Sequence, residues 1–352
     1  MNENYRIILE DSEKIIDTID TSKIKNKNIL IFGGNSFLVS YIQSTIYLLN
    51  KNKNYKTKVL SISKNRPNKF LQFLLNEDSN FKFKITNLAN YSQNDFSKIV
   101  NKKFDYIFLC ATYGQPKKWM KNQLETIFLN INLLKDVFNV KKFRDSTFIF
   151  FSSADIYGNA LANDLMPVSE NFSGSIQPSA ARSIYGMSKR MGEALCHYYR
   201  NYFKMKIYII RAAHTYGPGM GMKDTRVIID FFKKAKKGSI NLLDQGKSIK
   251  TYGYISDIAE MFFNIIQFGK NHTYNTCGND YINILTLAKK IKKLFKNCKV
   301  IKPKNKTSNS QHISSDPANS LLSSKLYCEE FKKRKFVSIE EGLKKLKDYL
   351  NL

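Results

Sequence analysis

The run Asn28-Ile29-Leu30-Ile31-Phe32 constrains this chain more than any other stretch. Its four consecutive apolar residues leave no polar face. A strand of that kind has to be buried on both sides, as strands are in a parallel α/β sheet. Gly33-Gly34-Asn35-Ser36-Phe37-Leu38-Val39-Ser40 ends it, and a helical run follows from Tyr41 to Leu49. In that order, a glycine turn lets the backbone approach a pyrophosphate, and the helix N-terminus faces its negative charge. Ser36 and Val39 stand where the dinucleotide-binding pattern has its second and third glycines. An ordinary tight βα turn is therefore the competing reading.

Further along, Tyr185-Gly186-Met187-Ser188-Lys189 reads Y-x-x-x-K inside a helical pattern. Ile184, Met187, Met191, Leu195 and Tyr198 recur at helical spacing and are expected to face a core. Tyr185 and Lys189 are four apart and share a helix face. A free tyrosine has a pKa of about 10 and is a poor base at neutral pH. A neighbouring ammonium would stabilise the phenolate, lower that pKa and let the tyrosine take a proton from a sugar hydroxyl. A surface pair with no role has the same spacing, so the motif needs company. Phe148-Ile149-Phe150-Phe151-Ser152-Ser153-Ala154-Asp155 supplies it: an apolar strand that ends in serines where ligands bind in open α/β sheets. Arg211-Ala212-Ala213-His214-Thr215-Tyr216-Gly217-Pro218 follows the strand Lys206 to Ile210 and forms a loop at the same edge.

Together these motifs resemble the extended short-chain dehydrogenase/reductase superfamily, in its nucleotide-sugar epimerase/dehydratase branch. The resemblance covers almost everything after residue 26. Within the branch, four stretches are most similar to UDP-glucuronate decarboxylases: Gln115-Pro116-Lys117-Lys118-Trp119 with Thr126 and Asn130, Pro178 to Tyr185, Gly217-Pro218-Gly219-Met220 with Thr225-Arg226-Val227, and Ser338 to Leu343. The resemblance implies an α/β Rossmann fold, a doubly wound parallel sheet with a smaller C-terminal substrate-binding lobe. It implies NAD as cofactor, a nucleotide-diphosphate sugar as substrate, and a homodimer joined through the helix bearing Tyr185 and its neighbour. It makes Tyr185 the acid–base residue, Lys189 its tuner and the holder of the nicotinamide ribose, and Ser153 the third member of the triad. Gly33, Ser36 and Phe37 would lie along the pyrophosphate. Cys110, Ala111 and Thr112, after the strand Asp105 to Leu109, would line the cofactor, with Asn35, Leu38, Ser63, Asn87, Leu88 and Asn130 completing that set. Trp119, Ser153, Arg182, His214, Arg226 and Lys250 would contact substrate. The chemistry begins with removal of a hydride from a sugar carbon, leaving a 4-keto sugar, and the hydride usually returns.

Departures from the pattern bound the reaction. Many dehydratases and decarboxylases carry acids just after the catalytic serine or threonine, where this chain has Ala154 and Asp155. Alanine in the first place is common in epimerases. Asp155 reads either as a shortened general acid or as a solvated loop residue. Lys250 replaces an arginine of the family and lacks the planar fork that grips phosphate or carboxylate twice. Epimerisation is the favoured outcome. UDP-glucuronate decarboxylation is the runner-up, and a net 4-dehydrogenase or reductase stays open. Lys58 to Arg66 has no acid for the ribose hydroxyls, and Ser63, Lys64 and Arg66 would suit a 2′-phosphate, so NADP stays beside NAD.

Charge raises a reading of another class. Lysine plus arginine number 57 against 29 acids, a net +28. A catalytically inactive nucleic-acid-binding protein on the same fold would suit that charge and the altered glycines. The charge is spread along the chain, as a compositional bias spreads it, and Ser153, Tyr185 and Lys189 are intact, so nucleic acid is disfavoured. No run of about 18 apolar residues and no signal-peptide pattern exist, which reads as cytoplasmic with no membrane partner. The five scattered cysteines and four histidines show no metal-ligand spacing, so neither a metal nor a disulfide frame is expected. Residues 1–26 read as an N-terminal helical extension and 27–217 as the dinucleotide-binding domain. The chain is expected to return to that domain at about 251–280, while 218–250 and 281–352 build the substrate lobe. Lys302 to Ser310 reads as a mobile loop near the substrate.

Overall fold

The computed structural model describes residues 3–158, 166–180, 182–303 and 319–352. The sequence-based loop near the substrate falls mostly in 304–318, outside the described residues. The first half alternates strand and helix: α1 (Glu3–Thr18), β1 (Asn28–Phe32), α2 (Phe37–Lys53), β2 (Lys58–Ser63), α3 (Lys69–Glu77), β3 (Phe81–Ile85), α4 (Gln93–Ile99) and β4 (Tyr106–Leu109). Helices α5 (Pro116–Lys121), α6 (Gln123–Ile127) and α7 (Leu133–Phe138) precede β5 (Thr147–Ser153), and α8 (Ser183–Phe203) precedes β6 (Lys206–Ala212) and β7 (His214–Tyr216). The remainder is α9 (Val227–Lys236), β8 (Ser239–Asn241), β9 (Ile249–Tyr254), α10 (Ile255–Phe268), β10 (Thr273–Thr276), β11 (Asp280–Asn283), α11 (Ile284–Lys292), β12 (Lys299–Ile301), α12 (Lys325–Phe331) and α13 (Ile339–Tyr349).

Seven parallel strands in the order β10-β6-β5-β4-β1-β2-β3 make the central sheet. Strand order reverses between β1 and β4, the position at which such sheets bind ligands beyond their C-terminal ends. Alternation along β1 sends Ile29 and Ile31 into one apolar layer with α1, α2 and α10, and Leu30 and Phe32 into the other with α7 and α8. Both faces are covered, as the apolar run requires.

The expected return at about 251–280 is divided. Strand β10 pairs with β6 in the large sheet, whereas β9 does not join it. Strand β9 lies instead between β7 and β11 in a separate three-stranded sheet. The parallel β7–β9 register sets His214 beside Tyr252 and Tyr216 beside Tyr254.

The extension packs on its own chain. Ile8, Leu9, Ile15, Ile16 and Ile19 of α1 are buried in the same apolar layer as α2 and α10. Asp11 is 2% exposed and accepts hydrogen bonds from Tyr254 (2.5 Å), Tyr41 (3.3 Å) and Lys345 (2.8 Å). One carboxylate thus ties α1 to α2, to the end of β9 and to α13.

Candidate active site at the strand ends

Glycine geometry shapes the first loop. Gly33 has φ +99°, and a Cβ there would lie 2.7 Å from the Ala111 nitrogen, so only glycine lets β1 turn this close to the end of β4. The side chain of Ser36, the residue before α2, makes no capping bond, which leaves the first amides of α2 to be satisfied from outside. Asn35 is committed elsewhere. Its amide donates to the Asn65 and Arg66 carbonyls and its Oδ1 accepts from the Asn68 amide, so it holds the loop after β2. Phe37 lies under the Arg226 guanidinium, 5.3 Å from it, and links the turn to the segment before α9. Leu38 and Leu88 are buried core residues, Ser63 ends β2, and the Asn87 carbonyl caps the Ala89 amide.

The residues after β4 complete this side. Cys110 is buried and its thiol is pushed well up by burial, with Lys189 opposing. The Thr112 hydroxyl is buried without a hydrogen-bond partner among the described residues. Asn130 sits in a single π-helical turn, Phe128–Asn132, and its amide nitrogen donates to Ser188 on α8 at 3.0 Å. An open glycine turn, a helix N-terminus without a side-chain cap and an orphaned hydroxyl at the switch point fit a dinucleotide.

Strand β5 and helix α8 bring the chemistry together. The Ser153 hydroxyl donates to Asp155 Oδ2 and accepts from the Asp155 amide, both at 3.1 Å, and its polarity eases ionisation of Tyr185. Asp155 is the second residue of the short turn Ala154–Tyr157, which α8 approaches closely: a Cβ on Gly186 would meet the Asp155 carbonyl at 2.7 Å. Lys189 is 1% exposed and donates to the Phe151 carbonyl. Burial pushes its ammonium down to about 7, with Cys110 and Glu193 opposing. Burial also pushes Tyr185 above its ordinary value, helped by the Asp155 charge and opposed by the Ser153 hydroxyl and Arg226. The expectation that Lys189 lowers the Tyr185 pKa is therefore corrected for the protein alone. The lysine lies 5.9 Å from the tyrosine ring centre, and its donated bond goes to the backbone.

A second expectation fails on the same helix. Met187, Met191 and Tyr198 do not face a core; they are 41%, 51% and 47% exposed. The buried face is Tyr185, Gly186, Ser188, Lys189, Gly192, Glu193, Cys196 and Tyr199. Gly192 allows it, since a Cβ there would reach the Phe150 ring at 2.6 Å and the Asn130 carbonyl at 2.8 Å.

The substrate-side residues divide. His214 and Lys250 come together where the small sheet meets the large one. His214 is exposed at the start of β7, and the surrounding protein and the charges of Lys250, Arg182 and Arg226 hold its imidazole below its ordinary value against Asp155. Arg226 grips Asp224 through two nitrogens and donates to the Thr215 carbonyl, so its guanidinium is partly spent. Trp119 is 3% exposed and stacks on Tyr185, with Arg182 over the indole. Ala154 points into an apolar cluster with Ile156, Val168, Ala213, Cys277 and Leu322. No carboxyl stands at that position.

Sequence reasoning missed the support beneath the triad. Arg211 pairs with Glu193 (2.7 Å) and donates to Tyr157 (2.8 Å), while Ser152 donates to Glu193 (2.5 Å). Glu193 falls eight residues after Tyr185, on the face of Tyr185 and Lys189, and an acid at that spacing was the available signal.

The NAD dependent epimerase/dehydratase family model matches residues 29–277. The chain belongs to that family. UDP-glucuronic acid decarboxylase 6 of Arabidopsis thaliana is 25% identical over 205 residues, 58% of this chain and 59% of that one. UDP-glucuronic acid decarboxylase 1 of Xenopus tropicalis is 24% identical over 191 residues, 54% of this chain and 45% of that one. The match thus spans only 45% to 59% of these relatives' length. The UDP-glucuronic acid 4-epimerase of Bacillus cereus, solved with UDP-glucuronic acid and NAD, superposes with a TM-score of 0.72 at 21% identity, covering 92% of this chain and 99% of that one. The dTDP-glucose 4,6-dehydratase of Bacillus anthracis, solved with NAD, does so with a TM-score of 0.72 at 16% identity, covering 92% and 96%. These likenesses bear out the Rossmann fold. Among the described residues no helix is long and apolar enough to cross a membrane.

Proposed function

We propose that this chain modifies a nucleotide-diphosphate sugar through a transient 4-keto intermediate, with epimerisation as the outcome. The convergence of Ser153, Tyr185 and Lys189 at the strand ends carries this reading. Bound NAD would supply the hydride acceptor and donor, held by the Gly33 turn, the α2 N-terminus, Thr112 and Lys189. Tyr185 takes the proton from the sugar hydroxyl and later returns it, with Ser153 holding both oxygens in line. Ala154 favours epimerisation over dehydration, because the position that would carry a second acid is packed in apolar side chains.

Decarboxylation of a UDP-uronic acid is the second reading. The Asp155 carboxylate on Ser153 favours it, as does the likeness to decarboxylases. The deciding experiment incubates the protein with UDP-glucuronate and a panel of other nucleotide sugars, each with NAD and with NADP, and reads products by mass spectrometry. Release of carbon dioxide from UDP-glucuronate establishes the decarboxylase. An isomer of unchanged mass establishes the epimerase. No conversion of any sugar sinks both.

We also propose a homodimer. The exposed Met187, Met191, Tyr198 and Tyr202 of α8 and Leu124 of α6, which packs beside it, form an apolar stripe that a second copy would cover. Light scattering should give twice the chain mass, and Met191→Lys with Tyr198→Lys should give monomers.

A further inference from the structure

Trp119 is the only tryptophan in the chain, and its side chain is buried at 3% exposure. It comes from α5, whose preceding residue Gln115 accepts a hydrogen bond from Thr225 at 3.3 Å across to the substrate lobe. Its indole is stacked on the Tyr185 ring, with centres 5.4 Å apart and planes 14° from parallel. The Arg182 guanidinium lies 5.4 Å from the indole centre. The order guanidinium, indole, phenol satisfies two known preferences: a cation over an electron-rich face, and offset stacking of aromatic rings.

We propose that Trp119, seated by Arg182, is the positioning residue of Tyr185: it fixes the phenol ring in one orientation and keeps water off it. This rests on the reading of Tyr185 as the acid–base group. It differs from the expectation that Trp119 meets the substrate, because a side chain 3% exposed and stacked on the tyrosine has little surface left to offer. The groups facing Tyr185 are few. Ser153 and Asp155 come from the end of β5, Lys189 from α8, Arg226 from the loop before α9, and Trp119 from α5. Of these, Trp119 is the aromatic ring laid on the phenol, so its effect is exclusion of solvent. A tyrosine kept dry ionises at higher pH than a wet one. Opening the stack should move its ionisation down.

The stack provides its own probe, because a tyrosinate in contact with an indole quenches its emission. The holoenzyme, loaded with NAD, is titrated from pH 6 to 11 while tryptophan emission is followed, beside Tyr185→Phe. The wild type should show a quenching step that Tyr185→Phe lacks. Difference absorbance of tyrosinate, with Tyr185→Phe subtracted in each background, then places the same step in Trp119→Phe and Trp119→Leu. Trp119→Leu should shift it down by about one pH unit, while Trp119→Phe, which keeps a flat ring, should shift it much less. Circular dichroism and melting temperature confirm that both variants fold. A Trp119→Leu titration that matches the wild type, whether or not either shows a step below pH 11, overturns the proposal. Full turnover by Tyr185→Phe would instead defeat the acid–base reading while leaving the optical result intact, so the two failures are distinct.

Discussion

Replacing Lys189 by methionine should stabilise this protein while abolishing its activity. The ammonium is 1% exposed and burial brings its pKa from 10.5 to about 7. Between those values the unfolded chain holds a proton that the folded chain releases. The lysine therefore costs stability at neutral pH, and the cost fades as pH rises toward 10.5. At about 1.4 kcal/mol per pH unit, the cost is about 4 kcal/mol at pH 7 and about 1.5 kcal/mol at pH 9.5. Methionine has nearly the same length and no charge, but it leaves the Phe151 carbonyl without the bond Lys189 donates, a loss of about 1–2 kcal/mol. The net gain should be about 2–3 kcal/mol at pH 7 and close to zero at pH 9.5. Urea unfolding of nucleotide-free protein, followed by Trp119 emission, measures both. A methionine variant less stable than wild type at pH 7, or a gain that does not shrink with pH, would refute the reasoning. The confirming result would show stability given up for function.

Three other outcomes follow from the geometry. Glu193→Ala should cost about 3–5 kcal/mol, because it leaves Arg211 buried without its partner, and a Glu193→Met, Arg211→Met double variant should cost less than the two single changes together; additive costs in urea unfolding would mean the pair is not coupled. Gly186→Ala sets a methyl 2.7 Å from the Asp155 carbonyl, so it should destabilise by about 1–3 kcal/mol and lower kcat at least tenfold by moving Ser153 and Asp155; wild-type kcat would show that the turn is free to give. Asp11→Ala removes the acceptor for Tyr254, Tyr41 and Lys345 and should cost about 2–4 kcal/mol, read as a lowered melting temperature; an unchanged one would mean that α1 does not clamp the two lobes.

The sheet was legible because its strands carry their environment in their composition. Ile29 to Phe32, Tyr106 to Leu109 and Phe148 to Phe151 are apolar at every position, and only a strand covered on both faces tolerates that. Gly33 was legible for a similar reason, since its turn admits no side chain. Strand β9 joins the small sheet between β7 and β11, which its sequence could not announce. Its sequence, Ile249-Lys250-Thr251-Tyr252-Gly253-Tyr254, states that it is a strand but not which partner it takes. Pairing is set by where β7 and β11 lie after folding.

Helix α8 shows why the site's support could not be read from periodicity. The apolar stripe Met187, Met191, Tyr198 marks the side of the helix that avoids water, and the natural inference is that the core lies there. The core instead takes the opposite side, through residues that pattern analysis assigns to solvent. Gly186 and Gly192 let the helix sit within contact of the Asp155 carbonyl and the Phe150 ring, closer than any larger side chain allows. Ser188, Lys189 and Glu193 each bring a polar group that finds its partner from another element: Asn130 from the π turn, the Phe151 carbonyl from β5, and Arg211 from β6. A buried polar group is tolerable only where such partners already wait, and sequence spacing along one helix contains no information about them. The same reasoning explains the stripe. With the polar face consumed by the site, the apolar face is left outside, and in the proposed dimer a second copy of α8 would cover it and remove its cost in water.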